Sequence, residues 1–268
     1  MSTPAERDPD RSHDSSHESA VCRPDAAPGW LTPLVDACRR LGPDDVPFRR
    51  RPAPGGRRAA VLMLFADVGD GPELLLTERA AAMRTHAGQA AFPGGSIDPE
   101  DAGPVDAALR EAREETGLDA DGVVPLLTLP AMTIPVTGFA VTPVLAHWAR
   151  PVPVHVVDAG ETAAVVRVPV AALADPAARF RVTGPSGYTG PAFAAGGLLV
   201  WGFTAGLVDW MLTLGGWARP WDGSDVRDLD EVWARRHDLS TASTATAAGT
   251  AHAAPSRPDT AAEGGPIR

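Results

Sequence analysis

Between Val105 and Thr116 the apolar positions recur at helical intervals: Val105, Ala108, Leu109, Ala112 and Thr116 fall at i, i+3, i+4, i+7 and i+11. That spacing predicts a helix over Pro104 to Thr116 with one buried face. Pro104 suits its first position, and Gly117 followed by Leu118 suits a left-handed cap with a hydrophobic contact behind it. A second helical stripe, Trp30, Leu31, Leu34, Val35, Cys38 and Leu41, predicts a docking helix near the start of the chain.

Runs with strand character lie between these stripes. Ala59 to Phe65 and Glu73 to Thr77 are separated by the turn signal Gly69-Asp70-Gly71-Pro72 and predict a hairpin. Ala80 to His86 is short and Ala-rich, and Gln89 to Phe92 reads as a brief strand delivering Gly94-Gly95 to the central helix. Val123 to Leu129 and Phe139 to Trp148 follow, joined by the loop Pro130 to Gly138; Pro143 assigns the second strand to an edge or a bulge. Glu161 to Val168 ends at Pro169 before a short helix, Val170 to Leu173. Phe180 to Val182 and Leu198 to Trp201 are late strands. Thr204 to Leu214 is a closing helix burying Phe203, Leu207, Trp210, Met211 and Leu214.

The apolar stretch Gly196 to Trp217 is long enough for a membrane span, but Asp209 and several glycines interrupt it, so strand then helix is the expectation. Both ends of the chain lose the apolar period. Residues 1–28 and 237–268 read as disordered tails around one domain, 29–236.

Composition narrows the function classes. The formal charge of −10 argues against a nucleic-acid partner, and 44% hydrophobic residues are enough for one core. All basic residues are Arg. Arg49-Arg50-Arg51 and Arg57-Arg58 read as a solvated linker from which one or two guanidinium groups are available to phosphates. Cys22 and Cys38 have neither disulfide-framework nor zinc spacing, and the first ten residues hold no secretory apolar core; a cytoplasmic protein without a membrane partner is expected.

The chemistry concentrates on the central helix. Glu111, Glu114 and Glu115 stand at i, i+3 and i+4 and crowd three carboxylates together. An exposed acidic face is one reading; a divalent cation offsetting the repulsion is the other, since hard ions take carboxylate oxygens. Some fifteen residues upstream, Gly94-Gly95 lets backbone approach a ligand closely. For Arg110, the spacing allows a pair with Asp106 as well as a clamp on the carboxylates.

The string Gly95, Asp101, Arg110-Glu111, Glu114-Glu115, Gly117-Leu118 resembles the Nudix box of diphosphate hydrolases, with Asp101 where a Glu is usual and a spacer before Arg110 one residue longer. Upstream, Leu75 to Arg79 and Arg84-Thr85-His86-Ala87-Gly88-Gln89, running on to Gly95, resemble the signature of the coenzyme A pyrophosphatase branch. Trp201 to Ala205 also resembles the start of that family's terminal helix. The resemblance implies an α/β fold, a Nudix-type α/β/α sandwich around a mixed β-sheet. It implies Mg²⁺ or Mn²⁺ held by Glu111, Glu114, Glu115 and Gly95, with Arg110 holding a Glu of the set and Asp101 as a further partner. Arg79, Arg84, His86, Gly88 and Gln89 become the substrate-binding candidates. The general base is left open among Glu111, Glu114 and a late-loop residue such as Glu161, for which plain solvent exposure is the simpler expectation.

The implied reaction is hydrolysis of coenzyme A, or an acyl-coenzyme A, to adenosine 3′,5′-bisphosphate and 4′-phosphopantetheine or its acyl form; a homodimer is compatible with it. The alternatives are a Nudix hydrolase of another nucleoside diphosphate derivative and a non-catalytic Nudix-fold binding module.

Overall fold

The run from Ala59 to Ala66 is nearly all apolar because its strand is covered on both faces, the condition under which alternation disappears. In a computed structural model, which describes residues 21–42, 44–48, 56–83, 86–134, 138–184 and 187–236, this strand is β1, Arg58–Asp67. It pairs in parallel along its length with β7, Ala140–Trp148. The other edge of β1 meets β2, Pro72–Arg79, only near the turn, from Phe65↔Leu74 to Asp67↔Pro72. Beyond that the two strands part. Into the gap runs the segment 90–96, with β3, Ala90–Ala91, bonded to β2 and β4, Gly94–Ser96, bonded to β1.

The sheet is completed by β5, Val123–Thr128, and β6, Met132–Thr133, on β7, and by β8, Thr162–Pro169, on β2. One face is covered by α2, Pro104–Thr116, whose Ala107, Ala108 and Ala112 pack on Ala60, Leu62, Leu64 and Leu75. The opposite face, with Met63, Phe65, Leu74 and Leu76, is covered by α1, Thr32–Arg39, and α4, Gly202–Leu214. The result is the expected α/β/α sandwich around a mixed sheet. A second sheet stands beside it in the order β11 (Leu198–Val200), β10 (Thr189–Ala195), β9 (Arg179–Thr183) and β12 (Val226–Asp228). The remaining helices are α3, Val170–Leu173, and α5, Leu229–Ala234.

Several expectations change. β7 is an interior strand, not an edge. Its Pro143 lies where the neighbour switches from β5, ending at Thr128↔Val144, to β6, beginning at Met132↔Val141. A residue without an N–H is tolerated at such a break. The expected loop 130–138 therefore contains a short strand. The sequence pattern also missed β10, whose Thr189-Gly190-Pro191-Ala192 start sets a glycine and a proline where strand formers are expected, and both β12 and α5. On α4, Leu207 and Met211 are buried as expected. Phe203, Trp210 and Leu214 are only partly covered, and Val208 and Leu212 complete the buried face.

Residues assigned to the N-terminal tail include a 3-10 turn, Pro24–Ala26, laid on the sheet through Arg23 N donating to Pro125 O at 2.9 Å. Cys22 and Cys38 are free thiols, and burial pushes Cys38 up to about 12. The stretch 196–217 is a strand followed by a helix, and no helix among the described residues is long and apolar enough to cross a membrane. The basic run Arg49 to Arg51, Arg84 and the segment from His237 lie outside the described residues.

Candidate active site

Gly94 and Gly95 are pinned against β1 in the register Val61↔Gly94 and Ala60↔Gly95. A Cβ on Gly94 would strike Ala60 O and come within 2.7 Å of Val61 Cα, so no larger residue fits. A Cβ on Gly95 would instead strike the Glu111 carboxylate. The two glycines thus let main chain lie against α2 where its carboxylates face the sheet. Gly94→Ala is expected to lower stability by about 1–3 kcal/mol through backbone crowding. Gly95→Ala meets only a side-chain end that can rotate away, so it should melt near the wild type. Equal losses in thermal melting would contradict this division.

The helix runs from Pro104 to a left-handed Gly117, φ 67°, as its pattern predicts, and Leu118 behind the cap is buried. A strap then crosses its end. His155 N donates to Thr116 O at 3.0 Å, and Ala80 N, beyond it, donates to Glu161 O at 2.8 Å. The end of α2 and the end of β2 are therefore held by one segment. Between Glu78 and Arg79 the register with β8 shifts, a bulge of the kind that re-aims side chains beside sites.

The three glutamates differ in environment. Glu115 accepts from Gly94 N at 3.2 Å and is pushed up to about 7, first by burial, then by Glu111 and Glu161; the Gly94 N–H and Arg79 oppose the rise. Glu111 is also raised, chiefly by burial, against the pull of Arg110. Glu114 is mostly exposed and turned to Arg110. The structure therefore brings Glu111 and Glu115 to the glycine turn and leaves Glu114 at the rim.

Arg110 is the hub of the polar network. Its Nε and Nη2 donate to the two oxygens of Asp101 at 3.0 Å each, and Nη1 donates to Glu111 and Glu114 at 3.2 Å. Nη2 also donates to Ser96 O at 3.0 Å. The alternative pair with Asp106 does not form: Asp106 accepts from Ala102 N near the start of α2. Asp101 is held below the usual carboxylate range, first by its bond from Arg110.

Among the described residues no three His, Cys, Asp or Glu side chains converge into a cation cage, and Glu114 is paired with Arg110 at 3.2 Å. The donor set nevertheless fits a hard divalent ion. Two neighbouring carboxylates, both pushed up by desolvation, are only partly offset by one backbone donor, Gly94 N, and two guanidinium groups, Arg79 and Arg110.

Of the substrate candidates, Arg79 lies near Glu115 and has its Nε buried without a partner. Its backbone closes the turn that follows: Gly88 N donates to Arg79 O at 2.9 Å and Arg79 N to Gln89 O at 3.0 Å. His86 is exposed, and its Nδ1 lies 2.9 Å from Gln89 Oε1, which fits the Nδ1–H tautomer donating. Glu161 is exposed, as expected, yet close enough to push Glu115 up. The sequence pattern missed Trp233, which lies directly behind Gly88. The signal was present: Asp228 as a cap before Leu229, Val232 and Trp233 at helical spacing.

A model of the NUDIX domain matches residues 56–181. A Klebsiella aerogenes protein named as an uncharacterized Nudix hydrolase, NudL, is 49% identical over 89 residues, which are 33% of this chain and 72% of that protein. NudL of Cronobacter sakazakii is 46% identical over 115 residues, 43% of this chain and 58% of that protein. The chain spans about half the length of the Cronobacter and Citrobacter koseri relatives, 58% and 46%. Among solved structures, the Nudix hydrolase RenU of M. smegmatis aligns over 42% of this chain and 71% of its own, at 29% identity and a TM-score of 0.34.

Proposed function

The chain belongs to the Nudix hydrolase family, and from that premise we propose that it hydrolyses the diphosphate bond of coenzyme A or its derivatives with Mg²⁺ or Mn²⁺. The observation that carries the reading is the junction of two motifs. The turn from Arg79 to Gln89, which resembles the coenzyme A signature, is closed on the same Arg79 whose charge acts on Glu115.

Glu111 and Glu115, with the Gly95 main chain beside them, would hold the cation. A bound divalent ion neutralises phosphoryl oxygens and makes a water nucleophilic near neutral pH. Arg110 fixes Glu111 and Glu114 in place, with Asp101 as its anchor. Glu111, which lies against the glycine turn, is the proposed acceptor of the water's proton. Arg79 and His86, Gly88 and Gln89 of the turn position the substrate, the Arg79 guanidinium offering its fork of donors to a phosphate oxygen. Arg84 belongs to the same string.

Purified protein incubated with coenzyme A and Mg²⁺ or Mn²⁺ is expected to release adenosine 3′,5′-bisphosphate, and chelator should stop it. NADH, ADP-ribose and nucleoside triphosphates serve as competitors. Selective cleavage of one of those instead would overturn the substrate and leave the hydrolase. No cleavage of any would favour a binding module.

A further inference from the structure

We propose that Trp233 and Arg236, at the C-terminal end of the fold, are positioning residues for the substrate turn from Arg79 to Gln89. They lie outside the 56–181 segment that the family model covers. The inference rests on the reading that this turn meets substrate.

The turn, closed by Gln89 N donating to His86 O at 3.1 Å, holds two successive left-handed positions around Ala87. His86 sits at φ 58° without being glycine, and Gly88 follows at φ 70°. A non-glycine residue in that region costs on the order of 1 kcal/mol and persists only where the surroundings over-determine it. The surroundings here come from α5. A Cβ built on Gly88 would lie 3.1 Å from Trp233 Cζ2, 3.4 Å from Cη2 and 3.8 Å from Arg236 Nε. The indole edge is therefore the floor of the turn, and only glycine lets the chain rest on it.

That floor is itself built to stay. Six residues do not hold a helix alone, but Asp228 caps α5 by accepting from Asp230 N and Glu231 N, and Leu229 is buried beneath the second sheet. Trp233 stands edge-on to Trp201 at 6.3 Å, and the Arg236 guanidinium covers its ring at 4.4 Å while Nη1 donates to Trp233 O at 3.0 Å. Arg236 Nε is buried without a partner and lines a cavity of about 70 Å³ together with Glu78 and Gly88. Such a cavity has room for water.

The placement separates two jobs. Arg79 lies on the side of the sheet that carries α2 and Glu115, whereas Glu78 and the cavity lie on the other. Trp233 therefore acts from behind the turn, through Gly88, on where Arg79, His86 and Gln89 stand; it does not touch the carboxylates.

The test compares Trp233→Ala and Trp233→Phe with the wild type in the full chain. Amide hydrogen exchange without substrate is expected to rise about tenfold at Gly88 and Gln89 in Trp233→Ala and to be unchanged in α2, a local opening worth about 1.4 kcal/mol. With coenzyme A, KM should rise about tenfold and kcat stay within about twofold, since positioning contributes to binding. Trp233→Phe, which keeps an aromatic edge, should recover most of both. Unchanged exchange at Gly88 and Gln89, or a loss confined to kcat, would overturn the proposal. If the wild type cleaves no coenzyme A, the proposed activity fails by itself, and the exchange experiment still decides the bracing role.

Discussion

Glu115→Gln is expected to reduce diphosphate hydrolysis about a thousandfold, about 4 kcal/mol of transition-state stabilisation, while the metal-free protein melts no lower than the wild type. The amide is the same size and still accepts from Gly94 N, so packing is kept. What disappears is the charge. In the wild type that carboxyl is pushed up to about 7, chiefly by burial. The folded state holds this proton more tightly than the unfolded chain, so the wild type loses stability as pH rises from the ordinary carboxylate range through about 7. The Glu115→Gln variant has no such loss, and the difference should be largest above neutrality in chelator. Full turnover in the variant would sink the assigned role. A melting temperature far below the wild type in chelator would mean that the carboxylate is balanced within the protein, contrary to the desolvation that dominates it.

The same carboxylate marks how far the chain could be read from its sequence. The limits of α2 were legible because every local signal agreed: Pro104 at its start, the apolar spacing, and Gly117 in the left-handed region at its end. The three glutamates were legible as a group but not as individuals. Helical spacing puts Glu111, Glu114 and Glu115 on neighbouring positions, and it says nothing of how deep each lies. Depth is set by the chain across from the helix, here the glycine pair wedged beside β1, and that is a long-range pairing. Pro143 shows the converse case. Its local rule pointed to an edge or a bulge, and the interior strand accommodates it because β5 and β6 share that side in succession. The second sheet was least legible, since the start of β10 is small residues with a proline and α5 spans only six residues. Its Trp233 nonetheless reaches the turn that the sequence marked for substrate.

Arg110 is where the order of the site is most exposed to a single change. Arg110→Ala should lower stability by about 1–2 kcal/mol, because it leaves the Asp101 side chain, 4% exposed, with the Asp98 N–H but without its two guanidinium donors. Arg110→Lys keeps the charge but not the fork. An ammonium cannot hold both Asp101 oxygens while also reaching Glu111, Glu114 and Ser96 O, so activity should still fall about 10- to 100-fold. Asp101→Asn removes one branch only and should cost less than Arg110→Ala. The pH dependence separates an ion-pair loss from a packing loss. Asp101 is held below the usual range first by the Arg110 bond, and that stability is present above the unfolded carboxylate range and lost as pH falls through the folded value. Denaturant melts of Arg110→Ala and the wild type should therefore diverge at neutral pH and draw together in acid. A gap that stays constant with pH would assign the effect to the packing of the arginine stem and remove Arg110 from the hub of the site.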